Sequence, residues 1–167
     1  MTERKTEALA AELIDALRAR GLRLSFAESC TGGMIASAVT DIAGASDIFS
    51  GSAVTYDNAA KENVLGVSHE TLAKHGAVSE ECAREMAEGS KRIFSSDVAL
   101  SVTGIAGPGG AVPGKPTGTV WFGCASWNGT EAFKCLFKGD RKEVRAATVE
   151  RALLHLLSLC GSGCAGR

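Results

Sequence analysis

Val98-Ala99-Leu100-Ser101-Val102 is an almost unbroken apolar run, and it constrains the fold more than any other segment of the chain. A strand of that kind must be covered on both faces, because a sheet with one face in water shows alternation instead. Helices are therefore needed above and below it, and the flanking sequence supplies them. Residues 3–20 read as a helix with Leu9, Leu13, Ala16 and Leu17 on one face, stopped by Gly21. Leu22, Leu24 and Phe26 alternate with Arg23, Ser25 and Ala27 as in a strand. Thr31-Gly32-Gly33 opens a second helix to about Thr40, an extended run covers Ile48 to Tyr56, and short helical pieces follow between Asn58 and Lys74. Ser79 with Glu80 and Glu81 is a helix start, whose stripe runs on through Ala83, Ala87, Ser90 and Phe94.

After the central run, a Gly/Pro loop from Gly104 to Pro116 leads to a strand at 119–127. Asn128-Gly129 signals a hairpin, with Phe133, Cys135 and Phe137 alternating on the return strand. A last helix, from Arg141 to about Cys160, aligns Val149, Leu153, Leu156 and Cys160. No repeat or long linker divides the chain. The expected fold is α/β: a three-layer α/β/α sandwich around a mixed β-sheet, one domain over residues 1–160 with a flexible tail at 161–167. A chain of 167 residues with 45% apolar content can build such a core without disulfides or a metal.

Charge and cysteine usage narrow the function. Eighteen basic residues against 19 acidic ones leave a net charge of -1, which argues against non-specific nucleic-acid binding. The polar N-terminus and the lack of a long apolar stretch argue against a signal peptide and a membrane span. Six cysteines without framework spacing suit free thiols in a reducing cytoplasm. Glycine is in excess, 20 residues of 167, which points to loops where backbone approaches something closely.

Three segments depart from what packing requires. Ala27-Glu28-Ser29-Cys30-Thr31-Gly32-Gly33 joins a strand end to a helix start, where side chains and free amides face a ligand. Ser29 there is either a nucleophile with an oxyanion site in the following amides or, like Thr31, a plain helix cap; Cys30 is a rival nucleophile or an inert core thiol. Tyr56, the one tyrosine, closes a strand five residues before Lys61, and a nearby lysine can lower a hydroxyl's pKa or, once desolvated, take its proton. The bland alternative is a surface lysine beside a core-edge tyrosine. Thr103-Gly104-Ile105-Ala106-Gly107-Pro108 follows the central strand, where open sheets bind ligands. Further on, Gly109 to Lys115 spells G-x-x-x-x-G-K, but Pro116 replaces the magnesium-binding hydroxyl and a strand follows. Arg141 and Arg145 are placed to meet a phosphate or else are solvated charges. His69, His75 and His155 show no ligand spacing, so no metal is expected.

Taken together, these segments resemble the CinA C-terminal domain family, which also occurs as stand-alone nicotinamide-nucleotide amidohydrolases. The match is carried by 27–33, Ser50-Gly51, Tyr56, Lys61, Leu65-Gly66-Val67, 103–108, Lys115-Pro116-x-Gly118-Thr119-Val120 and Gly139-Asp140-Arg141, over roughly residues 6–158. The larger family members have an additional N-terminal domain whose activities are not carried over. The resemblance implies hydrolysis of the carboxamide of nicotinamide mononucleotide (NMN) to nicotinate mononucleotide and ammonia, as part of pyridine nucleotide recycling. It implies Ser29 as nucleophile with Tyr56 and Lys61 as its activating pair. Cys30, Thr31, Gly32, Thr103, Gly104, Ala106, Gly107 and Arg141 would hold substrate. No cofactor is implied; a homo-oligomer without membrane or nucleic-acid partners is expected. The competing readings are a non-catalytic nucleotide-binding or regulatory module on the same fold and a cysteine amidase built on Cys30.

Overall fold

The computed structural model describes residues 2–161. Strands β1 (Leu24–Glu28), β2 (Phe49–Val54), β3 (Val98–Gly104), β4 (Thr119–Ser126) and β5 (Gly129–Leu136) form one sheet in the order β2-β1-β3-β4-β5. β1 runs parallel to both β2 and β3, and the β3–β4 and β4–β5 pairs are antiparallel. The apolar run at 98–102 is fully buried in the middle position, as its composition requires.

Helices α1 (Thr2–Ala19), α2 (Met34–Thr40) and α6 (Arg141–Gly161) cover one face. There Leu13, Leu17, Ile35, Leu153 and Leu156 meet Phe26, Leu100 and Phe122 in one core. The other face carries α3 (Asn58–Ala60), α4 (His69–His75) and α5 (Glu80–Phe94). Its smaller core gathers Ala27, Ala53, Leu65, Leu72, Cys82 and Met86. This is the expected three-layer α/β/α sandwich with a mixed sheet. Of the expected tail, Gly161 closes α6, and 162–167, Cys164 included, lie outside the described residues.

Two differences from the expected elements have physical reasons. The hairpin turns on Trp127 and Asn128, with Gly129 already paired to Ser126, because Gly129 takes the positive φ of 99° that starts the return strand. Much of the glycine excess also serves packing and not ligand contact. A Cβ at Gly123 would run into the Ala83 carbonyl of α5, and one at Gly89 into the Leu65 carbonyl. The α5 layer therefore lies directly on backbone, and Ser101 Oγ donates to that same Ala83 carbonyl at 2.5 Å.

This topology creates a crevice. From β1 the chain goes to β2 on one side, then crosses back over β1 to reach β3 on the other. The carboxyl ends of β1 and β3 lie side by side where the connections part, the position at which α/β sheets accept ligands.

Candidate active site

The crevice holds a cavity of about 190 Å³ lined by Ser29, Cys30, Tyr56, Lys61, Ala77, Val78, Thr103, Gly104, Ala106 and Arg141. Ser29 and Cys30 follow β1, Thr103 and Gly104 end β3, and Tyr56 with Lys61 follows β2. Arg141 opens α6 on the rim. Four stretches far apart in sequence thus converge because three strand ends and one helix start share an edge of the sheet. Thr31, Gly32 and Gly107, also expected at the site, do not line the cavity; the Gly107 carbonyl accepts from Arg141 at 2.9 Å.

Ser29 is 8% exposed and is not a helix cap. That task falls to Glu28. Its fully buried carboxylate reaches past Ser29 and accepts from the N–H groups of Gly33 at 3.0 Å, Ile35 at 3.1 Å and Ala36 at 2.9 Å. It also accepts from the hydroxyls of Thr31 at 2.7 Å and Ser52 at 3.3 Å. Gly32 and Gly33 take positive φ of 61° and 99°, which lets the turn fold back over the carboxylate. On the outer side Arg145 donates to the carbonyls of Cys30 at 3.1 Å and Thr31 at 2.8 Å. Held from both sides, the turn leaves the Ser29 hydroxyl free to face the cavity.

Lys61 meets it there. Its Nζ lies 3.1 Å from Ser29 Oγ, 2.7 Å from the Thr55 carbonyl and 3.4 Å from the Tyr56 carbonyl, and none of the three is a carboxylate. Lys61 is 1% exposed, and burial holds its amine below the ordinary value of 10.5. Local structure brings this about: Asp57 caps α3 by accepting from Ala60 N–H, and the helix then widens into a π turn over Lys61–Leu65. Such turns often occur at functional sites. A desolvated amine beside a hydroxyl is chemically a base–nucleophile pair.

The neighbouring groups differ. Tyr56 is 61% exposed, and its hydroxyl accepts from Arg141 at 2.9 Å. Burial pushes the Cys30 thiol up to about 11, so it remains protonated near neutral pH. Thr103 Oγ1 donates to the Ala77 carbonyl at 2.8 Å, tying β3 to the loop before α5. Lys115 of the triphosphate-loop look-alike donates to the His75 carbonyl and takes no part in a phosphate cradle. Sequence reasoning missed Ala77 and Val78, small apolar residues without a chemical signature. It also missed the role of Glu28, whose signal was an acid closing a strand that is buried at every position.

Comparison with known proteins shows the family and the fold. Residues 6–160 match the CinA C-terminal domain. Nicotinamide-nucleotide amidohydrolase PncC of Enterobacter agglomerans is 51% identical over 146 residues, which are 87% of this chain and 89% of that protein. A CinA-like protein of Endomicrobium trichonymphae is 55% identical over 78% of this chain, but the chain spans only 30% of that longer relative. The crystal structure of competence damage-inducible protein A from Klebsiella pneumoniae superposes with a TM-score of 0.92 at 43% identity, covering 95% of this chain and 98% of that one. Among the described residues, no helix is long and apolar enough to cross a membrane.

Proposed function

Because the chain belongs to the CinA C-terminal domain family, we propose that it is an amidohydrolase that converts NMN to nicotinate mononucleotide and ammonia. The observation that carries the reading is the 3.1 Å contact between Ser29 Oγ and a buried Lys61 amine. Neutral Lys61 takes the Ser29 proton as Oγ attacks the carboxamide carbon, and the carbonyl oxygen becomes an oxyanion. Lys61 then hands that proton to the departing nitrogen, the C–N bond breaks, and ammonia leaves an acyl-Ser29 ester. A water gives its proton to Lys61 as it attacks the ester. Collapse returns the Lys61 proton to Ser29 and releases the nicotinate product as its acid, which loses its proton to solvent or to the released ammonia.

Geometry favours Lys61 over Tyr56 as the proton acceptor, since the Tyr56 hydroxyl faces Arg141. Tyr56 acts as part of the substrate rim. Ser29 N–H donates to the Val102 carbonyl and Gly32 N–H to the Ser29 carbonyl, so within this turn the amide of Cys30, a residue that lines the cavity, is the candidate donor to the oxyanion. One such donor is worth ~2.7–4 kcal/mol in well-studied hydrolases.

Pockets that engulf a drug-sized ligand measure ~300–1,000 Å³, so a cavity of about 190 Å³ suits the pyridine ring and leaves the ribose phosphate at the mouth. Arg141 lines the cavity at that mouth while Arg145 does not line it and braces the Cys30 and Thr31 carbonyls, which favours Arg141 as the phosphate ligand. The chemistry calls for neither a metal nor an organic cofactor. Five free cysteines among the described residues support a reducing, cytoplasmic setting, and assembly as a homo-oligomer belongs to the same reading.

The test is an ammonia-coupled assay with NMN, its riboside and free nicotinamide side by side. Ammonia from NMN, and far less from the other two, is expected. NMN binding without ammonia release would overturn the enzyme in favour of a binding module.

A further inference from the structure

Among the described residues, the cores and surfaces away from the crevice contain one cluster of metal-binding donor types. Cys124 on β4, Glu131 on β5 and His155 on α6 bring a thiol sulfur, a carboxylate oxygen and a ring nitrogen within 4.8 Å of one another. The sheet register makes this possible. Cys124 and Glu131 are direct cross-strand partners in the β4–β5 ladder, so their side chains leave the same face of the sheet. That face is the one α6 covers, and His155 comes down onto it from above, its ring 4.6 Å from that of Phe133. None of the three lines the crevice.

One atom in this cluster lacks a normal partner. His155 Nε2 is buried without a hydrogen bond. Its nearest acceptor is a Glu131 oxygen at 3.1 Å, an ion-pair contact when the ring is protonated. The His155 side chain is only 13% exposed, so water does not readily satisfy the nitrogen from outside, while Glu131 is 60% exposed. Nitrogen and oxygen ligands on one tetrahedral zinc ion sit roughly 3.3 Å apart, given bond lengths of ~2.0–2.2 Å. The 3.1 Å edge is thus already close to a coordination edge, and the sulfur needs only a small rotamer adjustment to complete a three-point face.

We propose that Cys124, Glu131 and His155 form a binding site for a borderline-soft divalent cation of the zinc–cobalt class, clamping the β4–β5 hairpin to the end of α6. The donor set of one sulfur, one imidazole nitrogen and one carboxylate oxygen excludes magnesium and calcium, which need several oxygens. Three protein ligands leave a fourth position to water on the exposed Glu131 side, which is also the entry path. The thiol releases its proton on coordination. The site clamps a sheet edge to a helix and takes no part in the amidohydrolase chemistry. Arg151, stacked 4.7 Å above Phe133, and Lys91 are cations close enough to oppose a bound ion and limit affinity below that of a four-ligand site.

The experiment is cobalt titration of the full chain, purified in chelator and desalted under reducing conditions. The readouts are thiolate-to-cobalt charge-transfer absorption, stoichiometry by elemental analysis and thermal melting. The expected result is one ion per chain, a charge-transfer band and a raised melting temperature. Cys124→Ser removes the band, His155→Gln weakens binding at least tenfold, and Glu131→Gln weakens it less. Each variant must melt near the wild type in chelator, which separates lost binding from misfolding. Magnesium at the same concentration changes nothing. A band that survives Cys124→Ser but disappears on replacing Cys135 or Cys160, or affinity unchanged in His155→Gln, would overturn the assignment.

Discussion

Replacing Glu28 by glutamine separates a structural carboxylate from one that merely sits near Ser29. The best amide orientation keeps an oxygen at the corner where the Thr31 hydroxyl and the Gly33 and Ile35 N–H groups converge. The NH2 then faces the Ala36 N–H and the Ser52 hydroxyl. The Ser52 hydroxyl can rotate to accept, but Ala36 N–H is left against another donor at a cost of about 2 kcal/mol. The three retained bonds fall from the charged to the neutral class, about 1 kcal/mol each. Relief from burying a charge returns about 2 kcal/mol, leaving a net loss of about 3 kcal/mol. For a domain of this size that is a fall in Tm of roughly 6–12 °C. Because the same bonds shape the Ser29 turn, kcat with NMN should fall at least tenfold while KM changes little. Thermal melts and ammonia release on the same preparation give both numbers. A variant melting within about 2 °C of wild type with unchanged kcat would refute the reasoning, since five short bonds cannot be both real and dispensable.

Four further outcomes follow from the site. Ser29→Ala should lose at least ~10³-fold in turnover while Cys30→Ala stays active, because the Cys30 thiol at about 11 is a poor thiolate source; the reverse pattern would move the nucleophile to Cys30. Lys61→Arg should be nearly as inactive as Lys61→Ala even with NMN still bound, since a guanidinium accepts no proton, and Tyr56→Phe should be impaired less; strong activity in Lys61→Arg would rule out the base role. Burial lowers the Lys61 pKa in the folded state, so its penalty on stability is full below that lowered value and vanishes as pH approaches 10.5. Lys61→Met should therefore stabilise most at low and neutral pH and least at alkaline pH in denaturant titrations, with the opposite trend counting against a desolvated amine. Arg141→Ala should raise KM for NMN more than it lowers kcat, whereas Arg145→Ala should lower kcat and Tm through the loosened Ser29 turn; a KM effect confined to Arg145 would exchange their roles.

The fold could be read from the sequence where apolar spacing carried it. The 98–102 run, the 119–136 hairpin and the stripes of α1, α5 and α6 fall where period and burial demand, since these signals are local. Strand order is not local. Nothing in the spacing of residues 24–28, 49–54 and 98–104 says that β1 lies between β2 and β3, yet that order makes the crevice. The chemically marked lining residues could be found because Ser29, Tyr56, Lys61, Thr103 and Arg141 are polar groups at element ends, where packing does not ask for them. Ala77 and Val78 carry no such mark. His155, Cys124 and Glu131 were hidden for another reason: their proximity depends on a cross-strand register and a helix crossing, not on a chain interval.

Glu28 and Lys61 also explain how one small crevice can hold a buried carboxylate and a buried amine that do not pair. Had the carboxylate faced Lys61, it would have stabilised the ammonium and raised the amine's pKa, leaving no lone pair for Ser29. Instead both oxygens of Glu28 are turned toward α2 and consumed by three amides and two hydroxyls. Lys61, on the other side of Ser29, meets two carbonyls and the hydroxyl. Those partners hold the amine in place without a carboxylate against it, so desolvation prevails and lowers its pKa from the ordinary 10.5. The neighbouring positions 28 and 29 send their side chains to different tasks because the backbone turns sharply through Gly32 and Gly33. A carboxylate that caps a helix thereby spares the serine from capping it, and spares the lysine an ion pair that would raise its pKa, as the proposed base role requires.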